Sequence, residues 1–324
     1  MGVAMFRPFH GMALGAAALL ASASAWAEGG REIPVWPLTA APTLDGSWQE
    51  WPALGAGSPT PIETFPEDSG DEPEAAETAE AAEGKSSAKA RRAPRESSLK
   101  EWTPQTELLA GVFQGRLYLT VRWRDDAKDD VYKPWQKNGG AFRKGRRKDD
   151  MLAVRFPIGG DFHACMISGA TYQTDLWLWS AGRSDKAGVA DDMIHRYSTK
   201  PLEPAVVYER KGQPVYIQKA FDAGQAGWEF TPNPGSSPEE ILPGVKLAAA
   251  SPSGSRGHVQ AKGEWKEGGW TVEMARALAV ADDPEDVVFP PGGKLPAQIA
   301  VFNAGYKMRK EFSRPFLLDF SRIP

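Results

Sequence analysis

The chain has 324 residues, 38 Lys+Arg against 42 Asp+Glu, a single cysteine, 12 tryptophans, 27 prolines and 33 glycines. A 41% hydrophobic and 10% aromatic content is enough to bury a core, which excludes wholesale disorder. One cysteine excludes a disulfide framework, a four-cysteine zinc site, a Cys-x-x-Cys redox pair and covalent haem attachment. A net charge of -4 argues against nucleic acid as a partner.

The chain opens on Arg7 and His10, the apolar run 12–20 and the small-x-small triplet Ala25-Trp26-Ala27. This is the pattern of a secretory signal cleaved after Ala27. The apolar stretch is shorter than the ~20 residues a bilayer span requires, and no later segment approaches that length. The expectation is an exported protein, in a bacterial periplasm, without a stable membrane span. Residues 28–324 are then read as one domain.

Residues 63–83 carry nine acids and no base, and residues 85–95 carry five bases and no acid. Almost nothing apolar lies between them, so the stretch from about 66 to 98 is expected to be a charged, disordered insertion. It is either a solvated loop or a partner-docking segment.

Beyond it the pattern is β. In "LYLTVRW", Leu117, Leu119, Val121 and Trp123 fall on one face of a strand, and Gln114-Gly115 before it reads as the turn of a hairpin from "ELLAGVF". Further strands are expected at "MLAVRF", "HACMIS", "DLWLW", "AVVYE", "VYIQK", "HVQAKGEW", "WTVEMAR" and "AQIAVF". "GRRKDD" and the Gly-Pro-rich stretch 231–256 are read as loops. No long 3.6-period segment competes. The fold class is all-β, an antiparallel sandwich with short helices or loops.

No enzyme motif is present: no G-x-S-x-G, H-E-x-x-H, P-loop or G-x-G-x-x-G. The mature chain has three histidines, His163, His195 and His258, all far apart in sequence. Asp125, Asp126, Asp129 and Asp130 lack the EF-hand spacing and its glycine. More informative is the stretch holding Met166, Trp177 and Trp179. The two tryptophans share a strand face, and a soft thioether with flat aromatic walls suits a large planar ligand. The same residues also suit an ordinary core.

From "PTLDGSWQEWPAL" onward the sequence resembles the haem-binding subunit family of ethylbenzene dehydrogenase and related type II DMSO-reductase-like enzymes. The resemblance continues through "LYLTVRWRDDAKDDVYKPWQK", "DDMLAVRFPI", "DLWLWSAGRSDKAGVADD", "GGWTVEMARAL", "DVVFPPGGKLPAQIAVFNAG" and "RKEFSRPFLLDF". It implies a sandwich like those of carbohydrate-binding modules and DOMON domains. It implies one non-covalent b-type haem and electron transfer without bond-making chemistry. The implied partners are the catalytic and iron–sulfur subunits of a molybdenum enzyme, or another periplasmic redox protein. The implied axial ligands are Met166, shortly before the Asp-Leu-Trp motif, and Lys310, three residues before Ser313. Lys307 competes in the same loop and His163 is the reserve.

On that reading the haem sits between the two β layers. Trp177, Trp179 and Phe302 are expected among its walls, with Val121, Trp123, Val154, Phe156, Val272 and Val301. Arg183 and Arg276 are the expected propionate contacts. Lysine ligates iron only as the neutral amine, so its ligation is expected to fail at acid pH. The rival reading is a carbohydrate-binding module without haem, in which the paired tryptophans stack on sugar rings.

Overall fold

The computed structural model describes residues 31–66, 104–280, 283–304 and 309–324. The expected signal segment, nearly all of the charged insertion and Lys307 lie outside the described residues.

The described chain is built from strands, and one long sheet turns back on itself to make two layers. The first layer runs, in spatial order, β11 (Val206–Arg210), β12 (Gln213–Phe221), β10 (Asp191–Ser198), β9 (Tyr172–Ser180), β8 (Met151–Gly160) and β20 (Lys294–Asn303). Its far edge continues into β21 (Arg309–Ser313) and β3 (Thr64–Pro66). The second layer holds β4 (Thr106–Phe113), β5 (Arg116–Arg124), β19 (Gly269–Ala277) and β18 (Gln260–Trp265), with β2 (Thr60–Ile62) beside β4.

Two strands carry the turn between layers. β22 (Phe316–Asp319) pairs with β20 through Lys294–Ala297, while residues 298–302 of β20 pair with β8. β1 (Glu32–Pro37) pairs in parallel with β22 through its first half and with β4 through its second. Smaller pieces decorate the core: β6 (Trp135–Asn138) and β7 (Ala141–Lys144) with β15 (Ile241–Leu242), β14 (Trp228–Phe230) with β16 (Val245–Leu247), and β13 (Gly224–Gln225) with β17 (Ser253–Gly254).

The expected alternation in β5 is present. Leu117, Leu119, Val121 and Trp123 all join the main core, and the hairpin turn before them has positive φ at both Gln114 and Gly115, as a tight primed turn requires. The core lies between the layers. From the first layer come Leu152, Val154, Phe156, Trp177, Trp179 and Val301; from the second come Val121, Trp123, Trp270, Val272 and Met274. Its centre is aromatic: Trp179 meets Trp123 at 6.2 Å and Trp270 at 4.9 Å between ring centroids, and Phe156 meets Trp177 at 4.9 Å. The Trp179 indole donates to Asp185 Oδ1 at 2.9 Å, and a side chain at Gly263 would collide with its ring.

The opening motif "TLDGSWQEWPAL" packs on the outside of the second layer. Glu273, fully buried, accepts hydrogen bonds from the backbone of Asp45 and Gly46 at 3.0 Å each and from the Trp51 indole at 2.9 Å. Gly46 sits at φ +84°, pressed against the backbone of Gly263 and Glu264, a position closed to a side chain.

One expected strand is absent. "HACMIS" is a loop between β8 and β9. The β8–β9 register slips between Pro157 and Gly159, and Gly160 takes φ +77°, so the chain leaves the ladder before His163.

Replacing Trp179 with Ala removes an indole shared by Trp123, Trp270 and Asp185. The expected cost is about 3–5 kcal/mol of unfolding free energy, measured by urea titration.

Candidate functional site on the outer face of the first layer

The face of the first layer that points away from the core can be read from register, since residues directly opposed across neighbouring strands share a face. Leu152, Val154 and Phe156 belong to the core, so Met151, Ala153 and Arg155 point outward. Across the ladders one outward row is Phe312–Ala300–Ala153–Leu178–Asp191. The next is Lys310–Phe302–Met151–Ser180, and a third is Gln298–Arg155–Leu176–Met193. Met151 to Arg155 spans about 13 Å along β8.

Most of this face is apolar and shielded: Met151, Ala153, Leu176, Met193 and Ala300 are each at most 8% exposed. Two alanines opposite one another, Ala153 and Ala300, make the middle of the floor low, with Leu176, Leu178, Phe302 and Phe312 standing around them. Such a floor suits a flat apolar body rather than a sugar, which needs an exposed ring to stack on.

The loop 161–171 covers one end. Met166 is half-buried there and packs on the second apolar cluster, which contains Phe162, Tyr172, Tyr197, Tyr208 and Ile217. Tyr172 and Tyr197 stack at 4.1 Å. The loop is held by Arg155, whose Nη2 donates to the carbonyls of His163 and Ala164 at 2.7 Å each. The same guanidinium donates to Gln298 Oε1 through Nε at 2.7 Å and again through Nη2. Gln298 in turn donates to the Ser313 carbonyl at 2.6 Å, and the Ser313 hydroxyl accepts from the Ile299 amide at 3.0 Å. A continuous set of hydrogen bonds thus ties the Met166 loop to the strand that carries Lys310.

Arg155 is 6% exposed, and its acceptors are neutral: two carbonyls, the Gln298 amide, and the Tyr172 and Tyr197 hydroxyls at 3.2 and 3.5 Å. Among the described residues it has no carboxylate partner. An uncompensated buried cation makes this end of the face favourable for an anionic group. Its signal in the sequence was an arginine at an outward position inside the apolar strand "MLAVRF", which alternation alone does not distinguish from a solvated residue.

His195 lies on the same face, opposite Thr174 and Lys219, and is 6% exposed. Burial, with Lys219 and Arg155 nearby, holds its imidazole well below the usual histidine range. It is a neutral nitrogen base at the site. His163 is exposed, and its nearest partner is the Cys165 amide, which donates to Nδ1 at 3.2 Å.

The other expected residues divide between core and face. Trp177 and Trp179 are fully buried between the layers, in contact with other aromatic rings, so the slot expected there is filled by the protein's own side chains. The same correction applies to Val121, Trp123, Val154, Phe156, Val272 and Val301, all members of that core. Neither tryptophan presents a ring to solvent, which removes the observation behind the sugar-binding reading. Phe302 is half-buried on the outer face, opposite Met151 and Lys310.

Arg183 caps the far end of the outer face. It pairs with both oxygens of buried Asp149 at 3.1 and 3.2 Å, donates to the Met151 sulfur at 2.8 Å and lies 4.3 Å over the Tyr132 ring. Arg276 is fully buried on the inner side, paired with Asp175 and Asp286. Arg183 is therefore beside the face and Arg276 is away from it.

The end of β20 is fixed by two acids, Asp125 just after β5 and Asp150 just before β8. Asn303 donates to Asp125 Oδ1 at 2.9 Å, and Asp150 accepts from the Ala304 amide at 2.8 Å and the Trp270 indole at 2.9 Å. Burial, with Asp150 nearby, raises Asp125 from 3.8 to about 8, and burial raises Asp150 to about 6. For an acid whose folded value is raised, the folded state is favoured below the unfolded value and loses that advantage as pH rises to the folded value. Wild-type stability should therefore fall between pH 5 and 8. Asp125→Asn should flatten that part of the profile, as measured by thermal melts across pH.

No curated protein matches the chain. Among solved structures, a protein from Bacteroides uniformis described as carbohydrate-binding aligns with 6% identity over 91% of this chain and 93% of its own, at a TM-score of 0.36. The family model described as "Ethylbenzene dehydrogenase" matches residues 114–311, which contain β5 through β20 together with Arg155, Met166, Phe302 and Lys310. The chain belongs to the ethylbenzene dehydrogenase family, in its gamma-subunit-like form.

Proposed function

We propose that this protein is an exported electron-transfer subunit that holds one non-covalent b-type haem on the outer face of its first layer. The observation that carries the reading is the placement of a thioether and an amine, Met166 and Lys310, on one side of an apolar, alanine-floored sheet and in one hydrogen-bonded framework. Family membership supports the choice of ligand. The partner we propose is a molybdenum oxidoreductase with an iron–sulfur subunit, and the compartment a bacterial periplasm.

The residues present fit such a group. A haem when bound supplies a one-electron redox centre. Met166 offers a soft sulfur, which favours a high potential, and Lys310 a nitrogen. Ala153 and Ala300 present only small side chains, while Leu176, Leu178, Phe302 and Phe312 offer apolar wall. Burial of a porphyrin against such a wall contributes on the order of 10 kcal/mol before ordering costs. Arg155 positions the Met166 loop and places positive charge where propionates are favoured. Arg183 does the same at the opposite end, with part of its charge offset by Asp149.

On this reading the chain's own residues bind and tune the haem rather than make or break bonds. No helix among the described residues is long and apolar enough to cross a membrane.

The test is a reduced-minus-oxidised visible spectrum of the full chain, with haem extraction. The purified protein should show a Soret band and yield extractable haem. Met166→Ala should lower both haem content and potential, and Lys310→Ala should change the axial spectrum. Haem content and spectrum unaltered in both variants would reject the ligand pair, and protein that stays colourless with added hemin would reject the function.

A further inference from the structure

A second site lies on the opposite side of the same layer, at the end of the core. β9 contributes Asp175, β10 contributes Asp192, the turn after β12 contributes Asp222, and the segment before Phe289 contributes Asp286. All four are at most 5% exposed. Oxygens of Asp175, Asp192 and Asp286 lie within 4.8 Å of one another, about twice a calcium–oxygen bond.

Their partners do not balance them. Among the described residues Arg276 supplies the one guanidinium, donating to Asp175 Oδ2 at 2.6 Å and Asp286 Oδ1 at 2.5 Å, with Asp192 Oδ2 3.9 Å away. His258 meets Asp286 at 2.9 Å and adds charge only when protonated. Ser255 donates to one oxygen of Asp222 at 3.1 Å. Asp192 is fully buried, and among the described residues neither of its oxygens has a hydrogen-bond partner; Asp175 Oδ1 and Asp222 Oδ1 are also without one. Ionised, Asp192 is a buried charge whose one counter-ion, Arg276, lies 3.9 Å away and is already hydrogen-bonded to Asp175 and Asp286. Protonated, its hydroxyl has no acceptor. Both states are costly. A cation bound to the orphan oxygens removes both costs at once.

We propose that Asp175, Asp192 and Asp286 bind a hard divalent cation, calcium by charge and ligand type, beside the Arg276 guanidinium, with Asp222 next to them in the turn after β12. An all-oxygen donor set without sulfur selects such an ion over softer metals. Its place fixes its role. It joins β9, β10 and the turn after β12 to the 283–289 segment, which Arg276 of the second layer also grips through the Val287 carbonyl. The ion clamps the two layers at the end of the core, apart from the outward face that carries Met166. The proposal does not depend on haem.

The experiment uses the full chain stripped with EDTA, then melted in EDTA, calcium chloride or magnesium chloride, with metal content measured after dialysis. Calcium should raise the melting temperature by about 5 °C in a saturable way and remain bound at a single ion per chain, with magnesium weaker. Asp192→Asn should abolish the calcium response while melting in EDTA no lower than wild type. Wild type indifferent to calcium and free of bound metal would overturn the site, as would an Asp192→Asn variant that keeps the response. If that variant does not fold, terbium decides on wild type. Trp177 is the cross-strand neighbour of Asp192, so terbium there should show indole-sensitised emission that calcium displaces. Absence of that emission would overturn the proposal.

Discussion

The packing of Trp123, Trp177, Trp179 and Trp270 between the layers constrains everything else in the molecule. A sheet this long must cover its inner face or aggregate, and here it does so by turning back through β1, β20 and β22 and filling the gap with its own aromatic rings. An interior packed to that degree has no room for a large ligand without losing contacts each worth a sizeable part of the folding free energy. Whatever this protein binds must use an outward surface or a polar end of the core. The first layer provides one of each.

The outward surface works through asymmetry of side-chain size. Ala153 and Ala300 are small where their neighbours Leu176, Leu178, Phe302 and Phe312 are large, so the floor dips at its centre. Loops close both ends, and each loop is pinned by a buried arginine. Arg183 is neutralised by Asp149, but among the described residues Arg155 faces only neutral acceptors. The protein therefore retains an uncompensated positive charge at the end where Met166 sits. That arrangement costs stability in the free chain and favours a bound anion, the balance expected of a site rather than of packing.

Much of this was legible from residue order, and the exceptions have physical causes. The period-2 pattern in "LYLTVRW" and "DLWLW" located strands and assigned faces correctly, because one face of each is committed to the core. The same pattern suggested a strand at "HACMIS". The Pro157–Gly160 irregularity ends β8 before it, and the loop conformation lets Met166 pack against the second apolar cluster. Trp177 and Trp179 looked like cofactor walls because an inward tryptophan reads the same whether it meets a porphyrin or another tryptophan. Arg155 and the Asp175–Asp192–Asp222–Asp286 group were invisible for a different reason. Their meaning arises from neighbours up to 143 residues away, as for Arg155 and Gln298, and from the missing partner rather than the present one. The "TLDGSWQEWPAL" motif belongs to the same class, since it is explained by Glu273, 228 residues from Asp45.

Haem content per chain in two variants, one on each side of the first layer, tests the proposed site most directly. Ala153→Phe raises the outer floor without touching Met166 or Lys310, whereas Trp177→Phe trims the inner core. The account predicts that the first variant folds and loses most of its extractable haem while the second retains it. A normal haem content in Ala153→Phe, with loss confined to Trp177→Phe, would contradict it.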